Sequence, residues 1–296
     1  MLALVDTAAD ADRATPVSEH VLLHLRHGGD RKARNLLARA DGGAGPLAGY
    51  AHLDVTDLVA GPSAEVAVHP GYRRRGVGAA LVRSMEAASP DGRLRLWAHG
   101  RHADAAALAR SRGYVEERVL WQLRRSLLSE LPEAPLPAGI RLRPFVVDRD
   151  EPAWIEVNNR AFASHPDQGG WTVADLRVRE SEPWFDPAGF LLAERDSDGA
   201  LIGFHWTKVH GGVGRAGEDH DHGPIGEVYV LGIDPSAQRR GLGAALTVAG
   251  LRHLRDRGLT QVMLYVDESN TSAFRLYERL GFTRWDVDVQ YRRAAR

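Results

Sequence analysis

Two glycines stand one residue apart behind a pair of arginines in Gln238–Leu246, QRRGLGAAL. Residues of these types in this order suit a diphosphate. Glycine lets the backbone turn tightly and aim successive N–H groups outward as a helix begins, and the helix dipole adds positive potential at that end. Arg239 and Arg240 put charge beside Gly241 and Gly243, and the alanines that follow allow close approach of the helix to a sheet. A lone Gly-x-Gly also marks ordinary helix starts, so the pattern gains its weight from context. Here it follows a strand-like run, Ile225–Ile233, and it occurs twice.

The segment VHPGYRRRGVGAAL at Val68–Leu81 aligns without gaps to IDPSAQRRGLGAAL at Ile233–Leu246. Later matches keep the order: LWAHG from Leu96 against LYVDE from Leu264, and RGY ending at Tyr114 against LGF ending at Phe282. Self-similarity of this kind indicates a duplicated unit. Between the copies, Ser126–Gly139 carries three prolines, which interrupt regular pairing and suit a connector. The expected division is therefore a first domain over 1–125, a linker over 126–139 and a second domain over 140–296.

In each copy an apolar strand ends in His-Pro or Asp-Pro, then come the Arg/Gly turn, a helix, a second strand and a second helix. The second copy predicts strands at Ile225–Ile233 and Gln261–Val266 and helices at Leu242–Arg257 and Thr271–Arg279. A closing pair of strands is expected near Phe282–Trp285 and Val287–Arg292. Upstream, Ile140–Pro144, Phe190–Glu194 and Leu201–Val209 read as strands, with helices over Glu151–Phe162 and Val173–Arg179. The fold class is α/β, two tandem domains each with a mixed central sheet flanked by helices. His210–Gly223, rich in glycine, reads as a mobile loop beside the site.

Composition narrows the classes of function. The 38 Lys+Arg balance 39 Asp+Glu to a net charge of -1, so no global field favours nucleic acid or a membrane surface. The absence of cysteine excludes disulfides, thiolate metal sites and a cysteine acyl-enzyme. Without an apolar run of spanning length or a basic, then apolar, leader, the expectation is a cytoplasmic monomer acting on a small molecule. Lysine occurs only at Lys32 and Lys208, which makes the second mildly informative. The histidines ending at His222 offer metal ligands, but a glycine-rich segment does not preorganise them, and no metal is expected. Trp171, Trp184 and Trp206 suit a core or pocket wall.

Arg-Arg-Gly-x-Gly after a strand, combined with NTSAFRLYERLGF at Asn270–Phe282, resembles the GNAT acetyltransferases. The resemblance implies acetyl-CoA as acetyl donor, its pyrophosphate on the first motif and its sulfur near the second. It carries cofactor contacts onto Leu231, Gly232 and Ile233, and onto Gln238, Arg239, Arg240, Gly241, Leu242, Gly243 and Ala244. In the second motif they fall on Asn270, Thr271, Ser272, Ala273, Phe274 and Arg275. In the first copy they fall on Val66, Ala67 and Val68, then on Arg73, Arg74, Arg75, Gly76, Val77 and Gly78. A narrower resemblance rests on FASHPDQGGWT (Phe162–Thr172), EPWFDP (Glu182–Pro187), GFHWTKVH (Gly203–His210) and GEVYVLGIDPSAQRRGLG (Gly226–Gly243). It is to two-domain members of that family that acetylate the cysteinyl amine of cysteinyl-glucosaminyl-inositol. The segment His210–Gly223 departs from that group in being longer and richer in Gly and His.

Amide formation needs an unprotonated amine, a polarised thioester and a stabilised thiolate. Glu227, entering the strand before the phosphate turn, is the candidate base for an amine whose ordinary pKa is about 8. Backbone N–H groups at Leu231 and Gly232, where glycine interrupts the strand, could meet the thioester oxygen. Tyr277 lies two helical turns after Asn270, on the same helix face, and suits protonation of the departing sulfur. For the acceptor, the resemblance implies Asp167, Lys208, Glu227 and Tyr265, with Glu19 from the first half. Two other readings stay open: an acetyltransferase for another small amine or a peptide N-terminus, and a non-catalytic acyl-CoA-binding module. In the first half, Pro62, His102 and Ala109 align with Glu227, Asn270 and Tyr277, so chemistry is expected only in the second. The first phosphate turn is then either a second CoA-type binding site or a remnant on a structural brace.

Overall fold

The computed structural model describes residues 1–28, 33–55, 61–89, 93–163, 170–210, 224–238 and 241–293. Along the chain run α1 (Leu2–Asp12), α2 (Glu19–His27), β1 (Arg34–Arg39), β2 (Leu47–Asp54), β3 (Ser63–Val68), α3 (Val77–Ala88), β4 (Arg95–Ala98), α4 (Ala103–Ser111) and β5 (Tyr114–Ser126). The second copy contains β6 (Ile140–Pro144), α5 (Glu151–Ala161), α6 (Val173–Glu180), β7 (Phe190–Arg195), β8 (Leu201–His210), β9 (Ile225–Ile233), α7 (Leu242–Asp256), β10 (Gln261–Asp267), α8 (Thr271–Arg279) and β11 (Thr283–Arg293). Among the described residues, no helix is long and apolar enough to cross a membrane.

Two compact units result: Met1–Trp121 with Asp267–Ser269 and Asp286–Arg296, and Gln122–Val266 with Asn270–Trp285. These units do not follow one cut in the chain. The proline-bearing segment 126–139 falls in the second unit, and the end of the chain falls in the first. The closing pair expected near Phe282–Trp285 and Val287–Arg292 is one unbroken strand, β11. Its expected break, at Asp286, is where the strand leaves the second unit and enters the first.

In the second unit, β6, β7, β8 and β9 form antiparallel ladders, and β10 joins β9 in parallel. One face packs Ala193, Ile202 and Leu231 against Leu242 and Leu246 of α7. The opposite face holds an aromatic core in which Trp154 of α5 meets Phe190, Phe204 and Trp206. Gly250 of α7 is required by contact: a Cβ there would lie 2.1 Å from the His205 ring, whose Nδ1 is 2.7 Å from the Leu246 carbonyl oxygen.

In the first unit, β1, β2 and β3 are antiparallel, β3 and β4 are parallel, and β11 closes antiparallel on β4. Val287, Val289 and Tyr291 of β11 complete a core made with Leu81, Val82 and Met85 of α3 and Leu94 and Leu96 of the β4 region. Charge fixes the same strand. Asp288 accepts from the Gly100 N–H at 3.0 Å and sits 3.1 Å from His99 Nδ1, while His99 Nε2 is 3.4 Å from Glu65 of β3. Glu65 also accepts from the Ser18 N–H and hydroxyl at 2.5 and 2.7 Å.

Burial by itself would lower the His99 pKa, but the Asp288 and Glu65 carboxylates outweigh it and hold the imidazole at about 10. The resulting stabilisation is complete below the ordinary histidine pKa and is lost as pH rises through about 10. We expect the wild-type melting temperature of the first unit to fall between pH 7 and pH 10. His99→Gln should melt lower at pH 7 and show a flatter dependence. Parallel pH profiles for the two proteins would contradict the assignment of a charged His99.

Candidate active site

The site begins with an irregularity in β9. Opposite β8, Trp206 pairs with Val230 while Thr207 pairs with Val228, so Tyr229 is an extra residue bulged from β9. A bulge bends its strand and re-aims the side chains around it. The missing Cβ of Gly226 would point at Leu254 of α7, which puts Glu227 on the opposite face of the sheet. Beyond the bulge, Val230 joins the aromatic core and Leu231 packs on the α7 side.

The ladder between β9 and β10 is short. Among the described residues it pairs only Gly226 with Val262 and Glu227 with Met263, although β9 continues to Ile233 and β10 to Asp267. The two strands part just after Glu227. Alternate N–H groups of Val228–Ile233 on that edge are thereby released from strand pairing, and Leu231 and Gly232 lie in this stretch. The identity of Gly232 has a packing cause as well, since a Cβ would meet the Phe204 ring at 2.6 Å.

Register brings several of the expected residues together. Lys208 is the Cα partner of Glu227 across β8 and β9, and Met263 is its partner on β10, so Tyr265, two residues on, shares that face. Lys208 is buried, its ammonium 4.6 Å from the ring centre of Trp184 and 5.2 Å from that of the bulged Tyr229. Aromatic faces stabilise a cation in this position. Arg179 of α6 donates to the Tyr229 hydroxyl at 2.8 Å. Tyr265 is 41% exposed, and its hydroxyl accepts from Gln122 at 2.8 Å. Glu227 is buried and lies 2.7 Å through Oε2 from His210 Nε2. His210 is the site neighbour that motif reading passed over. Period-two alternation from Lys208 along the same strand points to it, because both must share a face. Asp167, Arg239 and Arg240 lie outside the described residues, as does 211–223 of the glycine-rich segment. Glu19 is the first residue of α2 in the first unit.

The Arg/Gly turns of the two copies are alike in dihedral detail. Gly241 and Gly76 both occupy the N-cap of their helices at φ +82°, where a side chain would be strained. Neither helix start has a side-chain cap among the described residues, which leaves first-turn N–H groups for an anion. Ahead of them, Asp234 and His69 have matching dihedrals, and each accepts from the N–H two residues on, at 3.0 and 3.1 Å. Gln238 Nε2 is 3.4 Å from the Ile233 carbonyl. The bare Gly243 lets α7 approach both Ile233 and Leu276, which brings the turn beside α8. Leu242 is buried, Ala244 half-buried.

In α8, Asn270 caps the helix through Oδ1, accepting from the Ala273 N–H at 3.2 Å and the Ser272 hydroxyl at 3.1 Å. Thr271, Ser272 and Arg275 are exposed, while Phe274 is buried beneath Arg284. Tyr277 is buried against Phe282, and desolvation pushes its phenol up to about 12.

The first unit departs from this arrangement around the same turn. Arg73 is held by Asp12 through two bonds of 2.6 and 2.8 Å, Arg74 pairs with Asp104 at 3.0 Å, and Arg75 lies over Tyr72. Val66, Ala67 and Val68 end β3, with Ala67 inside the core beneath α1. β3 pairs with β2 without a register shift. Arg95, which aligns with Met263, pairs with Ser63. The positional counterpart of Glu227 is therefore Ser63 rather than Pro62, displaced by the one residue that the Tyr229 bulge inserts.

The chain is similar to known proteins in sequence and in fold. The acetyltransferase (GNAT) family matches residues 152–282, and an acetyltransferase (GNAT) domain matches residues 32–116. Mycothiol acetyltransferase of Salinispora arenicola is 57% identical over 99% of this chain and 92% of its own length. That of Streptosporangium roseum is 52% identical over 99% and 95%. A solved GCN5-related N-acetyltransferase from Sphaerobacter thermophilus superposes with TM-score 0.68 at 27% identity, covering 98% of this chain and 90% of that one. A tandem GNAT protein from the clavulanic acid biosynthesis pathway gives TM-score 0.71 at 19% identity over 100% and 94%, a likeness of fold. The chain belongs to the GNAT acetyltransferase family, and within it stands with the mycothiol acetyltransferases.

Proposed function

We propose that the second unit transfers the acetyl group of acetyl-CoA to the cysteinyl amine of cysteinyl-glucosaminyl-inositol, the last step of mycothiol formation. The observation that carries this reading is the convergence of Glu227, Lys208 and Tyr265 on one sheet face where β9 parts from β10. A polyhydroxylated acceptor needs a carboxylate, an ammonium and a phenol in distinct geometries, and that face offers all three. The relatives at 52% and 57% identity are named mycothiol acetyltransferases, which supports this reading.

Acetyl-CoA, once bound, supplies a thioester. The first-turn N–H groups after Gly241 hold its diphosphate, with Arg239 and Arg240 adding charge. Glu227, oriented by His210, takes the amine proton directly or through water. The released N–H groups near Leu231 and Gly232 stabilise the oxygen as nitrogen bonds to the acetyl carbon and the C–S bond breaks. Tyr277 then acts on the departing sulfur. An ordinary thiol has a pKa near 8.5, so complete transfer from a phenol at about 12 is uphill. Tyr277 therefore serves mainly as a hydrogen-bond donor to the thiolate, a narrower role than full protonation.

We expect Glu227→Gln to lower kcat by roughly 10²–10⁴-fold and Tyr277→Phe to lower it less, with acetyl-CoA affinity unchanged in both. Single-turnover kinetics beside equilibrium binding separate the two effects. Turnover equal to wild type across pH would remove these residues from the mechanism.

The acceptor assignment has its own test. The specificity constant for cysteinyl-glucosaminyl-inositol should exceed that for free cysteine by orders of magnitude, because contacts to the sugar and inositol orient the amine. Lys208→Ala should shrink that ratio. Comparable constants for the two amines would favour another small-amine acceptor, and absence of thiol release with any amine would favour a CoA-binding module.

A further inference from the structure

Three histidines that the proposed acetyl transfer does not use gather in the first unit. His20 and His24 lie four residues apart on α2 and so share a helix face, their ring centres 4.0 Å apart. His52 comes from β2, its ring 5.4 Å from that of His24 and 6.4 Å from that of His20. One ring nitrogen from each lies within 4.8 Å of the others.

The buried member is prepared for a ligand. His52 is 2% exposed, and its Nδ1 is 3.1 Å from Asn35 Oδ1. An amide oxygen only accepts, so Nδ1 carries the proton and Nε2 keeps its lone pair. The Tyr50 hydroxyl donates to the same Asn35 oxygen at 2.6 Å, which fixes the amide. His52 Nε2 is buried with no hydrogen-bond partner among the described residues. A buried lone pair without a donor is costly, and a metal ion would satisfy it. Asp54, with Oδ2 3.7 Å from His20 Nε2, adds a negative charge at the rim.

We propose that His20, His24 and His52 form a divalent transition-metal site, suited to zinc, that ties α2 to β2. Neutral imidazoles at this separation match the borderline softness of Zn²⁺. Zinc–nitrogen bonds of about 2.0–2.1 Å place tetrahedral ligand atoms about 3.3 Å apart. His20, half exposed, can swing inward to close the difference. Asp54 or water completes the fourth position, and Asn35 orients His52 from behind. The site shares no ligand with the residues assigned to acetyl transfer, although His20 follows Glu19 on α2, and metal titration reads it without reference to turnover. Its effect on the enzyme is structural: it anchors the helix that begins at Glu19.

The test uses the full chain, stripped with chelator and titrated with Zn²⁺ against a chromophoric competitor, then with Co²⁺ read by visible absorption. Wild type should bind one equivalent and give the intense bands of tetrahedral cobalt. His20→Ala, at an exposed position that leaves the fold intact, and His24→Ala should each remove that equivalent. Asn35→Ala should weaken it by roughly 10–100-fold. A His220→Ala/His222→Ala protein should bind as wild type does. The proposal is overturned if wild type binds no zinc at micromolar concentration. It is equally overturned if the bound equivalent survives in His20→Ala/His24→Ala.

Discussion

Everything assigned to the second unit depends on where one ladder stops. β9 and β10 are joined only at Gly226–Val262 and Glu227–Met263, and past that point their facing backbone groups are released. The Tyr229 bulge has a matching effect on the other edge, turning β9 against β8 so that Tyr229 and Val230 both reach the aromatic side. In the proposed reading, a strand that is bent, half-released and followed by an uncapped helix start would present in sequence a carboxylate, N–H donors and an anion site. Those are the three needs of acyl transfer to an amine.

In the first unit the glycine turn recurs without these surroundings. Its glycine N-cap has the same φ of +82° as its counterpart. Yet β3 lacks the bulge, Ser63 stands where Glu227 does, and Arg73 and Arg74 are engaged by Asp12 and Asp104. On β3 and β4, Glu65 and His99 are bound to one another and to Ser18 and Asp288. That buried network holds a sheet together. The glycine turn stands in both copies, while in the first the side chains around it and on its sheet pair with one another.

Much of this was legible in the sequence because it is local. β9 spans Ile225–Ile233 and α8 spans Thr271–Arg279 as patterning predicts, and the two glycine turns coincide down to their dihedrals. The bulge was not legible, since an extra residue shows only against its partner strand, and its cost was the one-residue error that aligned Pro62 with Glu227. The passage of β11 into the first unit was hidden for a related reason. It depends on pairs such as Gly100 with Asp288, which no periodicity connects. The three-histidine cluster is not legible in the sequence because helix and strand contribute to it from separate segments, whereas the histidines that lie close together in sequence belong to the glycine-rich run.

The central claim is that the two equivalent glycines serve unequal sites. The direct measurement is steady-state turnover of Gly241→Val and Gly76→Val, each confirmed folded by circular dichroism and carrying the same strain at φ +82°. The account predicts that Gly241→Val abolishes acetyl transfer and acetyl-CoA binding in the second unit, whereas Gly76→Val retains most of the activity. Loss of turnover in folded Gly76→Val, with Gly241→Val still active, would contradict it.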